Sequence, residues 1–99
     1  MVVDKSIMRN SRSMGSISEN EHVEQQNYSR ELGLRFQKLR VKHGLSQEKV
    51  AQLANISAYT YQKFEKGESK PGTPMNPRLY TLKALARTFR ITVDELLRF

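Results

Sequence analysis

The chain has 99 residues, a net charge of +7, and neither cysteine nor tryptophan. Its length suits one domain, and the lack of cysteine excludes disulfides, thiolate zinc sites, iron–sulfur clusters and cysteine nucleophiles. No apolar run resembles a transmembrane helix or the core of a signal peptide, so we expect a soluble, cytoplasmic protein without a membrane partner.

The charge is unevenly distributed along the chain. Residues 1–28 carry a net charge of −1, whereas residues 29–99 carry 14 basic and 6 acidic side chains. A compact basic unit indicates a polyanionic partner. The alternative is a basic surface that is only solvated.

The first 28 residues differ from the rest in pattern. Asn10–Asn20 is polar and has no apolar period, which predicts disorder, whereas Glu21–Tyr28 fits either a frayed helix or coil. We therefore predict a flexible or partly helical tail at 1–28 and one folded domain at 29–99.

Five helices are predicted after this tail. The first begins at a Ser29 N-cap and ends at His43-Gly44, with an apolar stripe of Leu32, Phe36 and Leu39. The second follows a Ser46 cap and ends at Asn55, a residue that tolerates positive φ. We expect its buried face to contain Val50, Leu53 and Ala54.

The third helix is predicted from Ala58 to Lys66, between a Ser57 cap and Gly67. We expect Tyr61 and Phe64 to face inward, with the Tyr61 hydroxyl reaching water or a partner. A loop rich in Pro and Gly follows, at 68–75.

The fourth helix is predicted to open at Asn76-Pro77, with Asn at the N-cap and Pro at N1. Its apolar stripe comprises Leu79, Leu82, Leu85, Ala86 and Phe89. Thr92 and Glu95 form a capping box for a short fifth helix, with Val93, Leu96 and Leu97 inward.

No stretch alternates with a period of two, so the predicted fold is all-α without a sheet. The second and third helices are separated by only a few residues around Asn55. So short a link forces a steep crossing, which is the plan of the helix-turn-helix.

The spacing of the residues resembles that of the lambda-repressor and Cro-like (XRE-type) helix-turn-helix domain, over Leu32–Leu97. Two residues depart from the usual pattern of this family. Tyr61 stands where the family usually has an aliphatic residue, and Asn55 stands where it mostly has a glycine. The matching positions are Leu45-Ser46-Gln47-Glu48, Ala51, Leu53-Ala54, Ser57, Phe64-Glu65-Lys66-Gly67, Ala84-Leu85-Ala86, Phe89-Arg90-Ile91-Thr92 and Asp94-Glu95-Leu96-Leu97.

The resemblance implies a compact five-helix domain that binds double-stranded DNA with its third helix. By position, the residues expected to contact bases are Ala58, Tyr59 and Lys63, with Gln62 either a further contact or merely solvated. Lysine can donate to guanine O6 and N7, and alanine can meet a thymine methyl group. Tyr59 could donate its hydroxyl or pack on a methyl group, the alternative being that it is merely solvated.

The resemblance also implies phosphate contacts and an ion pair. Gln47 is expected at a phosphate, helped by the amides of its helix N-terminus. The further phosphate candidates are Ser57, Lys66 and Lys70. Arg40 and Glu65 match positions of a partly buried ion pair between the first and third helices, the alternative being two independent surface charges.

We find no pattern typical of an enzyme. The two histidines, His22 and His43, lie in different contexts, and no set of residues has metal-ligand spacing. A glycine-rich phosphate loop and a nucleophile elbow are also lacking in the sequence. We therefore expect neither catalysis nor a cofactor or metal.

The leading hypothesis is a sequence-specific transcriptional regulator that acts like a repressor. Because one recognition helix reads few base pairs, we expect a homodimer at least on DNA, with self-contact near Leu97 and Phe99. The alternative for Phe99 is that it folds back onto its own core. One alternative is a protein-interaction module, such as an antitoxin whose tail (1–28) binds a protein partner. Another is a regulatory factor of a mobile element.

Overall fold

The computed structural model describes residues 19–99, which form five helices and one short hairpin. The elements in chain order are α1 (Glu19–Lys42), α2 (Gln47–Ala54), α3 (Ala58–Lys66), β1 (Glu68–Lys70), β2 (Thr73–Pro74), α4 (Leu79–Thr88) and α5 (Val93–Leu96). The predicted all-α class and the number of helices are confirmed. Most of the tail lies outside the described residues, but Glu19 and Asn20, the end of the segment predicted as disordered (Asn10–Asn20), are helical, so the prediction was wrong for these two.

Helix α1 begins ten residues before the predicted Ser29 cap, so that prediction was wrong. Ser29 lies inside the helix, where its buried hydroxyl donates to the Met75 carbonyl at 3.3 Å. The added turns have Glu19 and Glu21 at their positive dipole end. They also make tertiary contacts, because the Gln26 amide donates to the Gly72 carbonyl at 3.0 Å.

Helices α2 and α3 have the predicted caps. The Ser46 and Ser57 hydroxyls each accept a hydrogen bond from the backbone N–H three residues on, and Asn55 adopts the left-handed conformation with φ 60°. Leu53, however, was wrongly predicted to be buried and is 47% exposed. The buried arc of α2 is Val50, Ala51 and Ala54, which leaves Leu53 on the solvent side.

The loop at 68–75 contains an antiparallel hairpin, which corrects the expectation of no sheet. Glu68 pairs with Pro74 and Lys70 with Thr73, around a turn at Pro71 and Gly72. Strands of three and two residues are too short to show an alternating pattern, so no periodicity indicated them.

Helix α4 begins two residues later than predicted. Its N-cap is Arg78, which has an extended backbone and makes no side-chain capping bond. The predicted N-cap, Asn76, lies two residues before it, so that prediction was wrong. The later start places Leu79 in the first turn, where it is 61% exposed instead of buried. In α5, the predicted capping box between Thr92 and Glu95 is present.

The core lies where α1, α2, α3 and α4 meet. The Phe36 ring packs against the rings of Tyr61 and Phe64 at centroid distances of 6.5 and 6.2 Å. Arg35 fixes α5 to α1 by donating to the carbonyls of Glu95 and Leu96. The buried apolar residues are Leu32, Phe36, Leu39, Val50, Ala51, Ala54, Tyr61, Met75, Ala84, Leu85, Ala86, Phe89 and Leu96.

Candidate DNA interface

Helix α3 is fixed at both ends by its own sequence. The Ser57 hydroxyl accepts from the Thr60 N–H at 3.0 Å, and Gly67 ends the helix with φ 80°. Only three residues separate α3 from α2, and the Ile56 N–H closes their turn on the Ala51 carbonyl at 2.9 Å. The two helices therefore form a rigid helix-turn-helix unit.

A hydrogen-bonded network joins α3 to the two preceding helices. Arg40 donates to both carboxylate oxygens of Glu65, from Nε at 2.6 Å and from Nη2 at 3.2 Å. The side chains of the pair are only 16% and 7% exposed. Gln47 donates to the same carboxylate at 2.9 Å, so α1, α2 and α3 converge on Glu65.

This network shifts the pKa values of Glu65 and Arg40. Burial by itself would raise the pKa of the Glu65 carboxyl, but the bonds from Arg40 and Gln47 and the nearby Tyr61 hydroxyl outweigh it. The pKa of Glu65 therefore lies below its ordinary value. The hydrogen bond to Glu65 is also the main cause of the raised pKa of Arg40.

Tyr61 lies fully buried beside this network. Burial first, and the Glu65 carboxylate second, raise the pKa of its hydroxyl. Within residues 19–99 its Oη has no protein hydrogen-bond partner, so the expectation that it reaches water or a partner stays a prediction. Tyr61 consequently acts here as a packing residue with a neutral hydroxyl.

Two glycines allow α1 to approach the end of α3. A Cβ on Gly33 would lie 2.6 Å from the carbonyl oxygens of Phe64 and Glu65, and one on Gly67 would lie 2.7 Å from the Ser29 carbonyl. Sequence reasoning treated Gly67 only as a helix end and missed Gly33. A glycine inside an apolar helical stripe was the available signal of close packing.

The opposite face of α3 carries the predicted base-contacting residues. Tyr59 is 67% exposed, Gln62 and Lys63 are partly exposed, and Ala58 is partly buried against the core. The Lys63 ammonium lies over the Tyr59 ring, with Nζ 4.3 Å from the ring centroid. At this distance a cation–π attraction orients both side chains.

The predicted phosphate-contacting residues are spread over α2, the turn before α3, α3 itself and β1. Lys66 and Lys70 are exposed, the first at the end of α3 and the second on β1. Ser57 is exposed, but its hydroxyl already caps α3 and donates to the Thr60 hydroxyl at 2.9 Å. Gln47 uses one amide hydrogen for Glu65, which leaves the second hydrogen to donate elsewhere.

Residues 19–99 contain neither a candidate metal site nor a candidate membrane span. No group of three or more His, Cys, Asp or Glu side chains lies together in a way that could hold a metal ion. In the same residues, no helix combines the length and apolar character needed to cross a membrane.

Comparison with known proteins agrees with this geometry. The profile of a helix-turn-helix family matches residues 36–96, whereas no curated protein matches the chain. A similar solved structure is the restriction-modification controller protein C.AhdI from Aeromonas hydrophila, with a TM-score of 0.59 and 28% identity. The likeness covers 71% of this chain and 96% of that one. The chain therefore belongs to the XRE-type helix-turn-helix family of DNA-binding transcriptional regulators.

Proposed function

We propose that this protein binds double-stranded DNA sequence-specifically, with α3 in the major groove, and thereby regulates transcription from a promoter. The observation that carries the proposal is the contrast between the two sides of α3. Its inner side is fixed by Arg40, Gln47 and Glu65, while its outer side presents Tyr59 and Lys63. A rigid helix with a polar and aromatic outer face suits the reading of base edges.

The candidate DNA-binding residues divide into those that would contact bases and those that would contact phosphates. Tyr59, Gln62 and Lys63 would face base edges from the outer side of α3, and Ala58, which packs partly against the core, would contact a base with its exposed side. Residues near its borders would contact phosphates and set the orientation of the protein on the duplex. These are Gln47, Ser57, Lys66 and Lys70.

Gln47 would link the phosphate contacts to base recognition by α3. Its amide bonds Glu65 on α3, and it is the first residue of α2, where unpaired backbone N–H groups favour an anion. A phosphate held at this position would therefore be tied directly to the recognition helix. This arrangement would fix the depth at which α3 enters the groove.

We further infer that two copies act together on DNA. One recognition helix reads only a few base pairs, so useful specificity needs two half-sites about one helical turn apart. The chain end supports self-contact, since Phe99 is 48% exposed and Leu97 is partly buried. Phe99 also contacts the Tyr28 ring at 5.0 Å, and Leu34 lies exposed beside it in a shared surface groove.

The likeness to a restriction-modification controller protein supports regulation of transcription, and the other two hypotheses are separated from it by experiment. An antitoxin would depend on a protein partner of the tail, and a mobile-element factor would depend on its genetic context. Neither gains a supporting contact from residues 19–99.

Selection of bound duplexes from a random pool tests the proposal. The expected result is a preferred sequence with two symmetric half-sites, bound more weakly as salt increases. For duplex DNA each neutralised phosphate contributes about −0.9 to the slope of log K against log salt. A slope near zero, or no enriched sequence, would contradict the proposal, and retention of a protein partner without DNA would favour the interaction module.

A further inference from the structure

We propose that the Tyr59–Lys63 pair reads a pyrimidine C5-methyl group beside a guanine, so that the preferred duplex contains thymine or 5-methylcytosine next to guanine. This inference rests on the proposed function, since it names the base step that α3 recognises. It makes binding sensitive to a single methyl group on the DNA.

The spacing of the pair along α3 lies between one and two base steps. Tyr59 and Lys63 are four residues apart on α3, which places their Cα atoms about 6 Å apart along the helix axis. Successive base pairs are separated by about 3.4 Å. Because the two side chains meet at 4.3 Å, their tips are closer together than their Cα atoms and can reach neighbouring base pairs.

The contact between the two side chains indicates that Lys63 would bond the guanine and Tyr59 would contact the methyl group. The Lys63 ammonium lies over one face of the Tyr59 ring at 4.3 Å, and an ammonium carries three N–H donors, more than the ring face engages. Guanine presents two acceptors, O6 and N7, to such a donor in the major groove. The rest of the ring, on a side chain that is 67% exposed, offers an apolar surface.

An apolar ring surface in the major groove selects a methyl group. Among the four bases of unmodified DNA only thymine carries one there, at C5, and an aromatic side chain is a suitable contact for it. A methyl group at C5 of cytosine occupies the same position on the pyrimidine ring. The Tyr59 ring would therefore favour thymine over uracil and 5-methylcytosine over cytosine by the same contact.

The test compares duplexes that differ by one methyl group. In the preferred duplex, thymine beside guanine is replaced by uracil, and in a second series cytosine at that position is compared with 5-methylcytosine. We expect each methyl group to strengthen binding by about fourfold, the effect of one buried CH₂ group. Tyr59→Phe should keep this ratio, and Tyr59→Ala should reduce it to about one.

The chain supplies a matched control. Tyr80 is 77% exposed and has Lys83 over its ring at 5.3 Å, but this pair lies on α4. Tyr80→Ala should leave the methyl ratio unchanged. Lys63→Ala should lose the preference for guanine while a methyl ratio above one remains.

Three results would overturn the inference. The preferred duplex could lack a pyrimidine–guanine step, or methyl and unmethylated duplexes could bind equally to the unmutated protein. The methyl ratio could also survive in Tyr59→Ala, which would assign the contact to another residue such as Ala58. In each case, retained binding of the selected duplex would leave the proposed function standing.

Discussion

The two faces of α3 differ in how strongly the rest of the molecule constrains them. On the inner face, Tyr61 is fully buried and Glu65 accepts hydrogen bonds from Arg40 and Gln47. On the outer face, Tyr59 and Lys63 contact mainly each other. The inner face therefore sets the position of the helix. Side chains on the outer face can change, and with them the bases that are recognised, without altering that position. Substitutions on the two faces should separate stability from specificity.

The largest effect is expected from breaking the ion pair on the inner face. Glu65→Ala leaves Arg40 partly buried without its carboxylate, and loss of one partner of a buried pair costs about 3–5 kcal/mol. Because both side chains retain some exposure, we expect the lower end of this range. Urea unfolding of Arg40→Ala, Glu65→Ala and the double variant would measure the coupling. Two single effects that simply add would show two independent charges.

The second-largest effect is expected where α1 approaches α3 closely, at Gly33. Gly33→Ala should lower the free energy of unfolding by about 1–3 kcal/mol, because its Cβ would overlap two carbonyl oxygens at 2.6 Å. Helix propensity alone would predict a gain of about 1 kcal/mol. Gln37→Ala, an exposed change on the same helix, serves as the control. A more stable Gly33→Ala protein would contradict the observed packing.

Lys63 tests the outer face without disturbing the inner one. We expect Lys63→Ala to lose about 1–3 kcal/mol of discrimination at one or two base positions and to unfold like the unmutated protein. Lys66→Ala should instead weaken all duplexes similarly and reduce the salt slope by about one unit. Titration of a preferred and a scrambled duplex at two salt concentrations measures both. Equal weakening of both duplexes by Lys63→Ala would remove α3 as the reader.

The smallest effect is the dependence of stability on pH through Glu65. Its pKa is lowered in the folded protein, so the unfolded chain takes up a proton first as the pH falls. The stabilisation is thus present above the ordinary Glu pKa of about 4.3 and is lost as the pH falls through the folded value. The stability difference between the unmutated protein and Glu65→Gln should shrink over this window. Glu31→Gln, an exposed change on α1, is the control.

Local signals in the sequence predicted much of the helix-turn-helix unit. The Ser46 and Ser57 caps, the left-handed Asn55 and Gly67, and the outward stripe of α3 depend on neighbouring residues, so a reader of the sequence can find them. The pairing of Arg40 with Glu65 came from the family resemblance, since the two residues are 25 positions apart. The phosphate and base contacts remain predictions.

The errors lie where distant segments meet. Ser29 was read as a cap because an apolar stripe begins beside it, but α1 extends back to Glu19. In the structure, Gln26 and Ser29 bond residues of the 72–75 segment. Leu53 and Leu79 fit a helical stripe, but the neighbouring helices leave both exposed.

The sequence by itself therefore determined the class, the number of helices and the face of α3 that points outward, because periodicity and capping act within a few residues. Only the tertiary structure decided the convergence of Arg40, Gln47 and Glu65, the close contact at Gly33, and the short hairpin. These features depend on the position of one helix relative to another. That position is set by packing among side chains far apart in the chain, which no local pattern encodes.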